Sequence, residues 1–500
     1  MNQRIFFFRT LFFLLFQLVW SQSNYRNPLG RKALEADLNT LKFQLESVHA
    51  GLYEYSTKNK IDSAFVAIRQ TLKDSMNDLD FYRALAPLQK VIKNGHTMVI
   101  PSEKWSKYKV DNVPLFPFEV YWDKDCLYIL KNLSNDGSII DGAQILSING
   151  VTAEKVVENL LSGITRDGYN TTYPLHLMAL GFEHWYADII GTPKDFILEL
   201  KSPVNQKIIS KKVDALKEDK INSNHAKNYT KERVAWFLRS NDDFIRFKMN
   251  GNVATLVVPS FDSDTKGETG EKYSRFYKKV FAEMKTATIK HLILDLRNNG
   301  GGDPKPQLSL LSYLLYKPVK LYRQSFTIME KVPNPEYYPN DKVKRLNRLA
   351  KLILDKKDSI YEVGNNIFTR MEGGPPKNPV EPEDDRFEGK LYILINGGSF
   401  SATGETAGIL KDRSRGIFIG EEAGGSNYQN TSGRMPILYL PNSGVRIRMP
   451  LIAYKLNVEG TNDGHGVIPD FEVRNTVQQE LNGEDAVMQF TLNYISKGLM

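Results

Sequence analysis

A serine hydroxyl at the start of a helix is the chemistry that residues 390–412, KLYILINGGSFSATGETAGILKD, offer most directly. Residues 391–395 are apolar and β-prone, Asn396-Gly397-Gly398 is a turn signal, and from Ser401 small residues and helix formers run to Lys411. The spacing predicts a strand, a tight turn and a helix. Ser401 then lies at the helix N-terminus, beside backbone N–H groups that have no partner within the helix. Such groups can stabilise an oxyanion, so Ser401 is a candidate nucleophile. Its competing role is that of an ordinary N-cap. Ser399 competes for the nucleophile role, and the G-x-S-x-G elbow does not separate the two, because Ser399 has Gly397 before it but Ser401 after it.

Residues 291–302, HLILDLRNNGGG, repeat the pattern of a buried strand that ends in glycine. Ligands of α/β proteins collect at the carboxyl ends of strands, so the two segments could face one pocket. Together with SFSATGE (399–405), IGEEAGG (419–425) and GHGVIPDFEV (464–473), this segment resembles peptidase family S41, which contains the C-terminal processing and tricorn-like proteases. The motifs occur in the family's order over about residues 90–475. The resemblance implies a multidomain α/β (α+β) protein whose core is of the ClpP/crotonase-like type, and a serine peptidase that needs no cofactor.

A serine is a poor nucleophile without a general base, and the base needs an orienting partner. The C-terminal processing branch of the family uses a lysine just past a Gly-Glu-x-x-x-Gly segment. Here that segment is Gly420-Glu421-Glu422-Ala423-Gly424-Gly425, and the lysine position falls on Ser426. Lys411 lies about 15 Å along the predicted helix from Ser401 and reads as a solvated lysine of the last turn. The tricorn-like branch uses a histidine at the end of the N-terminal helical region, and Gly95-His96-Thr97 resembles that motif. It also uses a carboxylate just before a Gly-Val-x-Pro-Asp segment. Aligning on Gly466-Val467 places Asp463 there. The resemblance therefore implies Ser401 as nucleophile, His96 as base and Asp463 as orienting carboxylate. Glu459 is the nearest rival carboxylate, and His465 is a control histidine two residues from Asp463. The oxyanion hole would use the N–H of Ala402 and a second donor from the turn Gly300-Gly301-Gly302, with Gly300 and Gly301 as candidates, since glycine permits close approach to a substrate.

Several regions must position these residues. In residues 31–93, Leu38, Leu41, Leu45 and Val48 recur at three- and four-residue spacing, and the pattern stops at Asn94-Gly95, just before His96. Residues 22–111 thus read as a helical N-terminal domain. Residues 112–215 turn β-rich, and DGAQILSINGVTAEKVVENLLSGI (141–164) resembles the strand, turn and helix of a PDZ domain. Such domains bind peptide C-termini by adding a strand to a sheet edge; the alternative is a structural spacer. Residues 216–240 read as a polar linker, and residues 241–480 as the peptidase core. In that core FIRFKMNGNVATLVVPSF (244–261) predicts a hairpin turning at Asn250-Gly251, and the helix and strand that follow predict a βαβ unit. Residues 326–389 form a polar excursion with one amphipathic helix at 341–357, either a lid or a surface insertion. Residues 481–500 form a C-terminal helix or tail.

The chain begins MNQRIFFFRTLFFLLFQLVWSQS. Arg4 and Arg9 precede a short apolar run, and Val19 and Ser21 suit the −3 and −1 positions of a signal-peptidase site. Residues 1–21 thus read as a secretory signal, too short to be a stable span, and the mature chain as periplasmic or extracellular. The formal net charge is +8, with no basic stripe interleaved with aromatics, so nucleic acid is not an expected partner. Cys126 is the only cysteine, which excludes an internal disulfide. Metal-ligand spacings are missing, as is the Lys-Ser/Thr of a phosphate-binding loop. Three functions remain: an exported serine endopeptidase acting on peptides or unfolded protein tails, a non-catalytic binder of peptides or apolar ligands on the same scaffold, and an acyl hydrolase using the same residues.

Overall fold

The apolar runs around residues 291 and 390 lie side by side in a seven-stranded sheet. Its order is Lys266–Gly267, Phe244–Asn250, Val253–Val257, His291–Asp295, Lys390–Ile395, Ile417–Gly420, Phe471–Glu472. The last five strands run parallel, and Phe244–Asn250 is antiparallel to its neighbour Val253–Val257. A parallel sheet is covered on both faces, which is why its strands are apolar without alternation. Leu292, Leu294, Ile393 and Ile395 pack with the helices Tyr273–Thr286, Pro304–Ser312 and Ala402–Asp412. Ile293, Tyr392 and Leu394 pack on the opposite face, against the C-terminal helix Ala486–Ser496. The expected βαβ unit is present as Val253–Val257, Tyr273–Thr286 and His291–Asp295. The expected hairpin is present with Gly251 at φ +59 in its loop. The structure, a computed structural model, describes residues 28–229, 244–328, 332–339, 347, 357–363, 366–371 and 379–498. The signal reading of residues 1–21 and nearly all of the helix expected at 341–357 lie outside them.

The N-terminal helices Arg31–Val48, Lys58–Thr71, Asp78–Leu85 and Leu88–Ile92 do not close a core of their own. Leu38, Leu41, Leu45 and Val48 form one apolar cluster with Leu438, Val445, Ile447 and Met449 from late in the chain. The buried carboxylate of Asp37 accepts hydrogen bonds from the backbone of Asn442 and Ser443 at 3.0 and 2.8 Å. Just after His96, the strand Met98–Ile100 pairs with Arg446–Arg448, which pairs in turn with Ile437–Tyr439. The histidine is therefore held against the late chain by a strand pairing and a shared core.

The β-rich region is an antiparallel sheet of Phe118–Asp123, Cys126–Asn132, Gln144–Ile148, Asp195–Lys201 and Ile208–Asp214, with Val151–Thr152 on Gln144–Ile148 and the helix Ala153–Ser162 packed on it. Part of the expected linker is ordered: Glu218–Asn228 is a helix with Ile221 and Asn224 buried. Within the expected excursion, the antiparallel strands Lys357–Val363 and Asn366–Met371 extend a five-stranded sheet that also holds Tyr322–Thr327, Ile452–Leu456 and Gln429–Gly433.

Candidate active site

Ser401 sits between the turn that ends strand Lys390–Ile395 and the helix Ala402–Asp412, at φ +55 and ψ −123. A non-glycine residue in that conformation costs on the order of 1–3 kcal/mol, which the surrounding packing must hold in place. Its side chain caps no helix N–H. Instead Ser401 Oγ lies 3.1 Å from Nε2 of His96, the distance of a hydrogen bond from hydroxyl to imidazole. Ser399 is committed elsewhere: it is fully buried, its hydroxyl donates to Leu296 O at 2.8 Å and accepts from Asn396 N at 3.1 Å.

The glycine turn packs directly on the serine. A Cβ at Gly301 (φ +100) would lie 2.7 Å from Ser401 Cβ and 2.9 Å from Ala402 N, so no larger residue fits without displacing the serine. Gly301 N–H is occupied, donating to Asn299 Oδ1 at 2.9 Å. The N–H groups of Gly300 and Ala402 donate to no group among the described residues. Of the three expected oxyanion donors, Ala402 and Gly300 are thus free, and Gly301 instead supplies the close approach. A cavity of about 430 Å³ borders the Asn396-Gly397 turn, lined by Trp122, Leu175, His176, Asn396, Gly397 and Glu421 among others. Neither Ser401 nor His96 lines it.

Lys93, at φ +59, ends the helix Leu88–Ile92 two residues before the expected glycine stop at Gly95. Gly95 is required for a different reason: a Cβ there would lie 2.6 Å from the Phe400 ring. His96 stacks on Phe400 with centroids 4.6 Å apart, and Tyr173 stacks on Phe400 at 4.0 Å. Burial, and then the charge of Arg448, push the His96 pKa down to about 3, so the imidazole is neutral and Nε2 can accept the serine proton.

The expected orienting carboxylate is not at His96. Nδ1 of His96 is buried with no hydrogen-bond partner among the described residues. Asp463 is exposed, and its Oδ1 accepts from His465 N at 3.0 Å. The physical reason is local. Tyr169 N donates to Gly464 O at 2.7 Å, which pins the loop to the β-rich region and leaves Asp463 at the surface. Glu459 is also exposed, and its N–H donates to Asp412 Oδ1. His465 Nδ1 lies 3.1 Å from Glu422 Oε1. Lys411 pairs with Asp470 at 2.5 Å, and Ser426, at the family's lysine position, accepts from Tyr428 N and Gln429 N.

Asp167 is the residue that sequence reasoning missed. It lies in the loop after helix Ala153–Ser162, is 5% exposed, and its Oδ1 accepts from Gly95 N at 2.6 Å. Its Oδ2 accepts from Ser426 N at 3.4 Å, just after Gly425, whose N–H donates to Ser399 O. One carboxylate thus ties the histidine's loop to the loop packed on the serine's turn. Thr165 Oγ1 donates to Asn94 O at 2.7 Å and Gly168 N to Lys93 O at 2.9 Å, so the same loop grips three consecutive residues before His96. Glu54 is a second, half-buried acid in this layer, accepting from Asn462 at 2.8 Å and Thr431 at 3.3 Å. Burial pushes Asp167 up to about 6; burial, and then the charge of Asp167, push Glu54 up to about 7. No motif could have flagged Asp167, since nothing near it follows a catalytic spacing. Asp167→Ala is expected to lower kcat roughly ten- to a hundredfold with KM little changed, because it loosens the His96–Ser401 alignment. Asp167→Asn, which keeps an acceptor for Gly95 N–H, should recover most of the loss in steady-state peptide assays. Equal damage by both variants would assign Asp167 a charge-dependent role instead.

Residues 252–473 match the model of peptidase family S41. The matched stretch, under half of the chain, resembles the peptidase domain of that family. Ser401, Asp463 and the glycine turn fall within it, while His96 and Asp167 are supplied from outside. A probable CtpA-like serine protease of Staphylococcus epidermidis is 25% identical over 247 residues. That alignment spans 48% of this chain and 37% of the relative, so the chain matches well under half the relative's length. Mature CPAF complexed with lactacystin superposes with a TM-score of 0.63 at 14% identity, covering 93% of this chain and 98% of that one. Mature CPAF gives a TM-score of 0.60 at 15% identity, covering 93% and 97%. These likenesses bear on the fold alone and extend well beyond the matched stretch, across the N-terminal regions that carry His96 and Asp167.

Proposed function

We propose that the chain is an exported serine endopeptidase acting on peptides or unfolded protein tails. Ser401 is the nucleophile, His96 the base, and the N–H groups of Ala402 and Gly300 the oxyanion donors. The observation that carries the reading is the 3.1 Å approach of His96 Nε2 to Ser401 Oγ at a strained, uncapped helix start. The S41 match supports the same chemistry. The imidazole is oriented by its stack on Phe400 and by the loop that Asp167 clamps, rather than by a carboxylate on Nδ1.

Asp463 has no orienting role in this scheme. Asp463→Asn is therefore expected to change kcat by less than about threefold, whereas loss of an orienting carboxylate in a serine protease costs on the order of 10⁴-fold. A loss near the larger figure would return Asp463 to the mechanism. The peptidase reading is tested by incubating the purified mature chain with unfolded casein and with an ester substrate, and sequencing the products. Cleavage within the casein chain is expected. Ester hydrolysis without peptide cleavage would make the protein an acyl hydrolase, and activity on neither would make it a binder.

A further inference from the structure

Arg448 places a cation beside His96 with no carboxylate paired to it among the described residues. It ends the strand Arg446–Arg448, directly opposite Met98, and its Nε donates to His96 O at 3.0 Å. Its two terminal nitrogens make no hydrogen bond or ion pair among the described residues. Other arginines of the chain are treated differently. Arg297 is ion-paired with Asp295 and Asp485, Arg415 donates to three carbonyl oxygens, and Arg446, on the same strand, reaches Pro101 O, Ser106 and Glu103. Arg448 is half-buried, and its terminal nitrogens are not sealed in the core, so they stay accessible to a ligand while Nε is held on His96 O. The strand pairing and the bond to His96 O set it on the loop of His96, whose ring stacks on Phe400, which stacks in turn on Tyr173.

Resting on the reading of Ser401 as nucleophile, we propose that Arg448 binds a carboxylate of the substrate, so that peptides with an acidic group close to the scissile bond are preferred. The planar guanidinium suits a carboxylate, with its two terminal nitrogens available as parallel donors while Nε stays on His96 O. The carboxylate could be an Asp or Glu side chain or the C-terminus of the peptide itself. Both present the same group to the same fork.

Four quenched fluorescent peptide sets separate these sources: Glu or its isostere Gln around the cleavage site, each with a free or an amidated C-terminus. The quantity read is the ratio of kcat/KM for acidic over neutral peptides. Wild-type protein is expected to prefer Glu over Gln, or free over amidated termini, roughly tenfold or more, the scale of a charge-assisted hydrogen bond. Arg448→Gln should bring that ratio close to one, and Arg448→Lys should retain part of it. Because Arg448 also holds His96 O, turnover will fall for all peptides in these variants, which leaves the ratio readable. A second arm does not depend on turnover: anisotropy of the same labelled peptides on Ser401→Ala protein should show tighter binding of the acidic sets. No acidic preference in wild-type protein, or the same preference in Arg448→Gln, would overturn the proposal. Acidic preference in the binding arm without any hydrolysis by wild-type protein would uphold Arg448 while removing the peptidase reading.

Discussion

Ser401→Ala is expected to lower peptide turnover by on the order of 10⁴-fold or more, because every step of the proposed reaction passes through its Oγ. Ser399→Ala should behave in the opposite way. Its hydroxyl bridges Leu296 O and Asn396 N in the core of the turn, so its loss should lower stability by about 1–3 kcal/mol and leave turnover in the folded fraction largely intact. A third substitution separates chemistry from strain. Ser401 holds φ +55, where glycine is relaxed, so Ser401→Gly should raise the melting temperature while turnover disappears. Melting curves and casein cleavage on the three variants check the set. Near-normal turnover in Ser401→Ala would move the nucleophile elsewhere.

His96→Ala is expected to cost on the order of 10³-fold or more in kcat, and the pH dependence of the wild-type protein carries its signature. Burial and the Arg448 charge push His96 from 6.5 down to about 3, so the neutral base persists far below the ordinary histidine range. The acid limb of kcat/KM should therefore fall well below pH 6.5. The sign for stability follows from the same shift. A depressed folded-state pKa contributes stability that is present above 6.5 and is lost as pH falls toward about 3. Asp167 acts in the other direction: its folded pKa is raised from 3.8 to about 6, so its contribution is present below 3.8 and is lost as pH rises through about 6. His96→Ala should thus flatten the acid side of the stability profile, and Asp167→Asn the side around pH 6. An acid limb at 6.5 or above would mean that His96 is solvated or carries an anion on Nδ1, and would reopen the search for an orienting carboxylate.

The parts of the molecule that were legible in the sequence are those fixed by short-range pattern. The runs HLILD and KLYILI are apolar without alternation, which only a strand covered on both faces tolerates, and both became central parallel strands. Ser401 was legible because a strand, a glycine turn and a helix start are local in the chain. His96 came from motif order, and the structure brings it to Ser401 across 305 residues. Asp463 followed from the same motif alignment but lies away from His96, because the backbone bond from Tyr169 to Gly464 sets where its loop points, and no local pattern encodes that bond. Asp167 and Arg448 were not legible for a related reason. Each acts on the main chain of the histidine's loop, Asp167 on Gly95 N and Arg448 on His96 O, and a contact to backbone leaves no complementary residue type to read. The helical N-terminal region likewise looked self-contained, because the periodicity of residues 31–93 cannot reveal that Val445, Ile447 and Met449 complete its core.

The central claim, that His96 activates Ser401, is tested most directly by a fluorophosphonate probe, which reacts with an activated serine and not with an ordinary one. The purified mature chain is labelled, digested, and the modified residue mapped by mass spectrometry, with His96→Ala run in parallel. The account predicts a single label on Ser401 in the wild-type protein and its loss in His96→Ala. A label on Ser399, or undiminished labelling of Ser401 without His96, would contradict it.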